Sequence, residues 1–240
     1  MEILVYQSFI TIGHERKLNP NELYLYVQLR RRMSIDYKVE TTVDLLSKRV
    51  TFLKTPKRNR LVIRKLLDSL QQKGAITFNE EDGVVDVEVV YFEENFDMVP
   101  LKVLEISSPE EFMLLVWVFR HQKYKGLTKM SFEYASRLLE SSEKTAFKVI
   151  DELVNVGKLH KISGPRKEDS QQQEPNQYYI PSLVGKEKSP KVESKPKEQQ
   201  KTIENDIQLE ALGRIGNTIS KTEVEPGSSL YTSDGQPKVF

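Results

Sequence analysis

The chain has 240 residues, 38% of them hydrophobic and 30% charged, with a net charge of +1 and no cysteine. That length accommodates two small domains with workable cores, and the lack of cysteine removes disulfides, thiolate metal sites and cysteine nucleophiles together, as suits a reducing cytoplasm. No apolar run approaches the roughly 18 to 20 residues of a membrane span, and MEILVYQSFI at the start lacks a basic n-region, so the expectation is a cytoplasmic protein without membrane attachment.

In chain order, NPNELYLYVQL around Pro20 reads as a first helix, with a capping residue, proline in the first turn and a glutamate ahead of the apolar positions. TTVDLLSKRV reads as a second helix. A third runs from Pro56 to Lys73, capped by Thr55 and stopped by Gly74. Strands are expected over Ala75 to Phe78 and Val84 to Phe92, turned by NEEDG, in which Asp82 and Gly83 favour a tight hairpin. DMVPLKVLEIS, residues 97–107, is left as a connector.

The same order then recurs. SSPEEFMLLVWVF around Pro109 begins a helix, SFEYASRLLESS supplies a second, and a third ends in IDELVNVGKL. Strands follow at Leu159 to Ile162 and Tyr178 to Ile180, with SGPRKEDSQQQEPNQ between them. LDSLQQKGAI, residues 67–76, aligns without gaps on IDELVNVGKL, residues 150–159, so the ordered part of the chain is read as a repeat. From residue 184 onward the composition is too poor in apolar residues to offset ordering entropy, and a disordered polar tail is expected. Within it Ile203, Ile207, Leu212, Ile215 and Ile219 fall near helical spacing, making 203–219 a candidate segment for a protein partner.

The fold expected is mainly α with small β-hairpins, an α+β chain. Three helices closed by a hairpin, written twice, read as two tandem winged helix-turn-helix domains at 1–96 and 108–183, joined by the 97–107 connector and followed by the tail at 184–240.

Charge gives the first repeat its candidate chemistry. Residues 1–79 hold 15 basic and 7 acidic side chains, residues 80–115 hold 1 and 11, and the stretch from Lys48 to Lys65 has eight Lys or Arg and no acid. On the third helix, at 100° per residue, Ile63, Leu66, Leu67 and Leu70 share one side. Arg58, Leu61, Lys65 and Gln72 occupy the opposite side, flanked by Lys57 and Arg64. Arginine suits a bidentate contact to guanine, glutamine pairs with adenine, and leucine suits either a thymine methyl or a dimer contact. Lys48, Arg49 and Lys54, with Arg30, Arg31 and Arg32 at the end of the first helix, are better matched to phosphates; the three arginines equally suit the negative end of the helix dipole.

Glu80, Glu81 and Asp82 at the first hairpin tip would be repelled by phosphate, so the tip is expected to turn away or to dock on a basic surface such as the second domain. In the second repeat Lys144, Lys148, Lys161, Arg166 and Lys167 are secondary candidates for DNA or phosphate contact. EFMLLVWVF is apolar almost all round; Trp117 or Met113 would serve a homodimer interface there, which suits DNA half-sites roughly 34 to 36 Å apart, unless all of it is core. The three histidines, His14, His121 and His160, lack ligand spacing, and GRIGN near Gly213 fits no nucleotide fingerprint. No enzyme, metal or cofactor is expected.

LNPNELYLYVQLRRRM, TTVDLLSKRV and IRKLLDSLQQKGAI together resemble the winged-helix domains of Gram-positive bacterial, plasmid and phage replication proteins, the DnaD type in particular, and replication initiators built from tandem winged helices. The resemblance spans residues 5–92 and, more loosely, 105–182. It implies a double-stranded DNA-binding protein acting in replication initiation. A transcriptional regulator of the same fold and a protein-interaction adaptor of the replication machinery are the alternatives.

Overall fold

The computed structural model describes residues 2–100, 108–165 and 174–183, within a compact unit spanning Met1–Ser189. It is an α+β structure with six helices and three small sheets among the described residues. Strand β1 (Glu2–Tyr6) and a 3₁₀ turn (Ser8–Ile10) lead into α1 (Pro20–Arg30). Then come β2 (Lys38–Thr42), α2 (Val43–Arg49), α3 (Pro56–Gln72), β3 (Ile76–Glu81), β4 (Val84–Val89) and β5 (Phe96–Pro100). The second repeat runs α4 (Pro109–Lys125), β6 (Thr128–Met130), α5 (Phe132–Leu139), α6 (Glu143–Asn155), β7 (His160–Ile162) and β8 (Asn176–Tyr179).

Each repeat has the order helix, strand, helix, helix, strand, strand, and each closes a three-stranded antiparallel sheet in the same way, β2-β4-β3 in the first and β6-β8-β7 in the second. The aligned segment agrees down to single hydrogen bonds. Ala75 N donates to Leu70 O at 2.9 Å, and Lys158 N to Leu153 O at 3.0 Å. Between them sit Gly74 at φ 69° and Gly157 at φ 72°, the left-handed position where a glycine ends a helix without the penalty a Cβ brings. At the β3–β4 hairpin Asp82 and Gly83 both take positive φ, as a two-residue turn that follows the twist of its strands requires.

Four strands depart from the sequence reading. Thr41 and Thr42 end β2 instead of beginning a helix, and Thr42 caps α2 by accepting from Leu45 N. β6 is its counterpart in the second repeat. β1 pairs antiparallel with β5, Glu2 opposite Pro100 and Tyr6 opposite Phe96, so residues 96–100 are a strand and not a plain connector. Residues 101–107 and the tail, with its 203–219 segment, lie outside the described residues.

A single buried core runs through both repeats. In α4, Phe112, Met113, Leu114, Leu115, Val116, Trp117 and Val118 are all buried, because the helix packs on α1 on one side and on α5 and α6 on the other. Trp117 and Met113, read above as possible subunit contacts, are therefore covered within the chain, and the apolar surplus of this helix has an intramolecular cause. Tyr24 of α1 meets Phe112 of α4 edge to face at 6.0 Å. Polar ties cross the same junction. Lys17 pairs with Glu140, Arg120 Nη2 donates to Gln7 Oε1 at 2.6 Å, and buried Asp97 accepts from Tyr124 OH at 3.3 Å with Arg120 Nε 3.7 Å away.

His121 stacks on Trp117 with ring centroids 3.9 Å apart, and its Nδ1 donates to the Trp117 carbonyl at 2.8 Å. Burial first, then the Arg120 and Lys125 charges, hold this imidazole below the ordinary histidine value against the opposing pull of the Trp117 carbonyl and Asp97. The neutral ring thus contributes stability fully present above the unfolded pKa of about 6.5 and lost as pH falls through the lower folded value. The urea midpoint is expected to drop between pH 7.5 and 5.5, and to drop less in His121→Gln. Equal losses in both proteins would remove this linkage.

Candidate nucleic-acid interface

Helix α3 starts at Pro56, whose fixed φ suits the first helical position. Thr55 occupies the cap position but makes no side-chain cap hydrogen bond, unlike Asn19, Thr42, Ser108, Ser131 and Ser142 at the other helix starts. A different residue fastens this end. Asn59 is 1% exposed on the apolar side of α3; its Oδ1 accepts from Phe52 N at 2.9 Å and Leu53 N at 3.1 Å. Its Nδ2 donates to Val50 O at 2.8 Å, Ser47 Oγ at 3.1 Å and Ser47 O at 3.2 Å. One amide thereby fixes the α2–α3 turn to the helix. A polar residue in helical register with Ile63, Leu66, Leu67 and Leu70 was the sequence signal, hidden inside the basic run. At the far end, buried Glu22 receives Ser69 Oγ at 2.6 Å and Lys73 Nζ at 2.6 Å, tying α3 to α1.

With the inner face so fixed, the outer face is open. Lys48 and Arg49 of α2, Lys54 of the turn, and Lys57, Arg58, Leu61, Arg64, Lys65 and Gln72 of α3 are all exposed, Leu61 at 53%. Among the described residues no carboxylate lies within ion-pair distance of Lys48, Arg49, Lys54, Lys57, Arg58 or Lys65. Two cations of the run are paired: Arg60 Nε with Asp44 at 2.8 Å, and Arg64 with Glu80. Asp68, which the sequence reading omitted, is exposed on the same side, one turn beyond Lys65 and two beyond Leu61.

The Arg64–Glu80 pair answers the question of the acidic hairpin. Glu80 belongs to β3, and the hairpin folds its carboxylate back onto α3, where Arg64 Nε donates to Oε2 at 3.1 Å and Nη2 to Oε1 at 2.6 Å. Its partner is therefore its own repeat's helix and not the second repeat. The hydrogen bonds first, and the nearby charge second, raise the arginine further above its already high value. Because Glu80 takes the Nε edge, the Nη1 and outer Nη2 hydrogens remain as an end-on fork, the pattern that meets guanine O6 and N7.

The arginines at the end of α1 divide. Arg30 is partly buried, donates to Tyr26 OH at 2.9 Å and lies 5.9 Å and 5.7 Å from the Tyr6 and Tyr26 ring centroids, so it is committed to packing. Arg31 is exposed. Arg32 is held below its ordinary value by burial first, then by the charges of Arg49 and Arg31. In the second repeat Lys144 and Lys148 are exposed, Lys148 within 3.8 Å of Glu152, and Lys161 lies over the Phe132 ring at 5.7 Å. Arg166 and Lys167 lie outside the described residues.

No protein-family model matches the chain, and no significant match was found among curated proteins.

Proposed function

We propose that the protein is a pair of winged helix-turn-helix units that binds double-stranded DNA without catalysis, laying α3 in the major groove, and that it acts in replication initiation, the setting its sequence resemblance suggests. The observation that carries the reading is the outer face of α2, the turn and α3: six cations with no carboxylate partner among the described residues, three of them on α3, whose other side is core. Like charges held this close repel one another, and a phosphate backbone relieves that cost by counterion release. Arg58, Lys65 and the buttressed Arg64 face bases, while Lys48, Arg49, Lys54 and Lys57, with Arg31 and Arg32, meet phosphates.

Salt dependence tests it. A duplex binder that touches six or more phosphates loses roughly three decades of affinity between 50 and 200 mM salt. Absence of duplex binding at low salt would leave the adaptor reading. Selection of bound genomic fragments decides the context, since clustered direct repeats beside an origin support initiation and sites overlapping promoters move the protein to transcriptional control.

Glu80→Gln isolates the hairpin's part. Loss of the carboxylate is expected to raise affinity for random duplex and to weaken discrimination at one guanine, because Arg64 is then free to wander to phosphate. Fluorescence anisotropy on matched and mismatched duplexes reads both. Unchanged discrimination would leave Glu80 as a surface charge only.

A further inference from the structure

The gapless repeat, continued along the third helices, puts Lys144 at the position of Leu61, Phe147 at that of Arg64 and Lys148 at that of Lys65. The substitution at Phe147 changes what the face can do. Ala146, Val149, Ile150 and Leu153 make the buried side of α6, and Phe147 stands off that side with 49% of its surface exposed. Its other half rests on Phe132 at the start of α5, ring centroids 5.2 Å apart at 63°, which fixes the ring's orientation. Lys144 precedes it by one turn and Lys148 follows it, both exposed, and Lys161 from β7 holds its ammonium 5.7 Å from the Phe132 centroid.

We propose that this aromatic pair with its three lysines is a binding site for single-stranded DNA, in which Phe147 stacks on an unpaired base and the lysines hold the flanking phosphates. The proposal rests on the reading of the chain as a DNA-binding protein, but not on the first repeat's part in it. A phenyl ring has no donor or acceptor with which to read a base edge, and in a duplex edges are what the groove offers, the faces being already stacked. An unpaired base offers its face, and such stacking is worth about 1 to 3 kcal/mol per base whatever the sequence. Charge favours the same occupant. Glu143 and Asp151 stand one turn either side of Phe147, and Glu152 lies 3.8 Å from Lys148. These carboxylates oppose a helix bedded between the two phosphate rows of a groove, whereas a single strand brings one row, which Lys144 and Lys161 can meet, with Lys148 exchanging its exposed partner. The two repeats would then divide the labour, one holding duplex and the other a strand separated from it.

The test uses the whole chain and two probes, a labelled oligodeoxycytidylate, which has no thymine methyl to confuse stacking with methyl contact, and a duplex. Phe147→Ala is expected to weaken single-strand binding by roughly 5- to 150-fold, the equivalent of one stacked base, with duplex affinity within about twofold. Phe147→Tyr, which keeps a stacking face, restores the loss and guards against a folding artefact. Arg58→Ala with Lys65→Ala should do the reverse, losing duplex and retaining the single strand. Equal loss on both probes in Phe147→Ala, or no loss on the single strand, overturns the proposal. So does a dimer that dissociates in Phe147→Ala with single-strand binding intact, which would make the patch a protein contact. Should the wild-type chain bind the single strand and not the duplex, this site stands and the duplex reading falls.

Discussion

Replacing Asn59 with leucine is expected to lower the unfolding free energy by about 3 kcal/mol or more, measured as the shift in urea midpoint at constant m-value. Leucine has the same branching and the same number of side-chain heavy atoms as asparagine and suits the apolar side of α3, so no cavity enters the comparison, and its bulkier methyl groups can only add an overpacking cost. What is lost is hydrogen bonding. Phe52 N and Leu53 N lose their acceptor, and Val50 O and Ser47 lose their donor, in a turn where Val50 is 1% exposed. A buried group stripped of its only partner costs about 1 to 3 kcal/mol, whereas removing both partners of a pair can be nearly neutral. Here only one side of each bond is removed. A change below about 1 kcal/mol would mean that water takes the amide's place. DNA affinity is expected to fall as well, because the same amide holds the turn that carries Lys54 and joins it to Lys48 and Arg49.

Local signals were legible in the sequence and long-range ones were not, for a physical reason that the residues make plain. Asn19 with Glu22, Ser108, Gly74, Gly157 and the Asp82–Gly83 turn each act within a few residues, and each helix start, helix stop or turn lies where its chemistry demanded. β1 and β5 are short and lie some ninety residues apart; neither shows itself until the other is beside it. β2 and β6 likewise depend on β4 and β8. The apolar girdle of α4 was visible, but that α1 covers it could be learned only from packing. The outer face of α3 was legible because helical period alone sorts it from the core. The state of its arginines was not. Arg64 and Glu80 are sixteen positions apart and meet through the register of the hairpin, and Arg30 is drawn inward by Tyr6 and Tyr26, which no local rule connects.

Arg58→Ala combined with Lys65→Ala is expected to reduce affinity for a cognate duplex by roughly 30- to 1000-fold while changing the slope of log affinity against log salt by less than about one. The first figure follows from about 1 to 3 kcal/mol for a base contact at Arg58 plus a similar or smaller share at Lys65; the second follows because the cations assigned to phosphates are all kept, and each of those would account for about 0.9 of the slope. Stability should be nearly unchanged, since both side chains are exposed and neither pairs with a carboxylate among the described residues. A change in net charge alone would weaken any polyanion binder, so the decisive comparison is Lys123→Ala with Lys125→Ala. That variant removes the same charge from the exposed end of α4, the end where Tyr124 reaches Asp97 of β5. Screening at 0.15 M salt limits such remote charges to about 8 Å, and its affinity loss should stay within severalfold. If the two double variants lose affinity alike, the protein holds DNA through its general field and α3 has no special place in the groove.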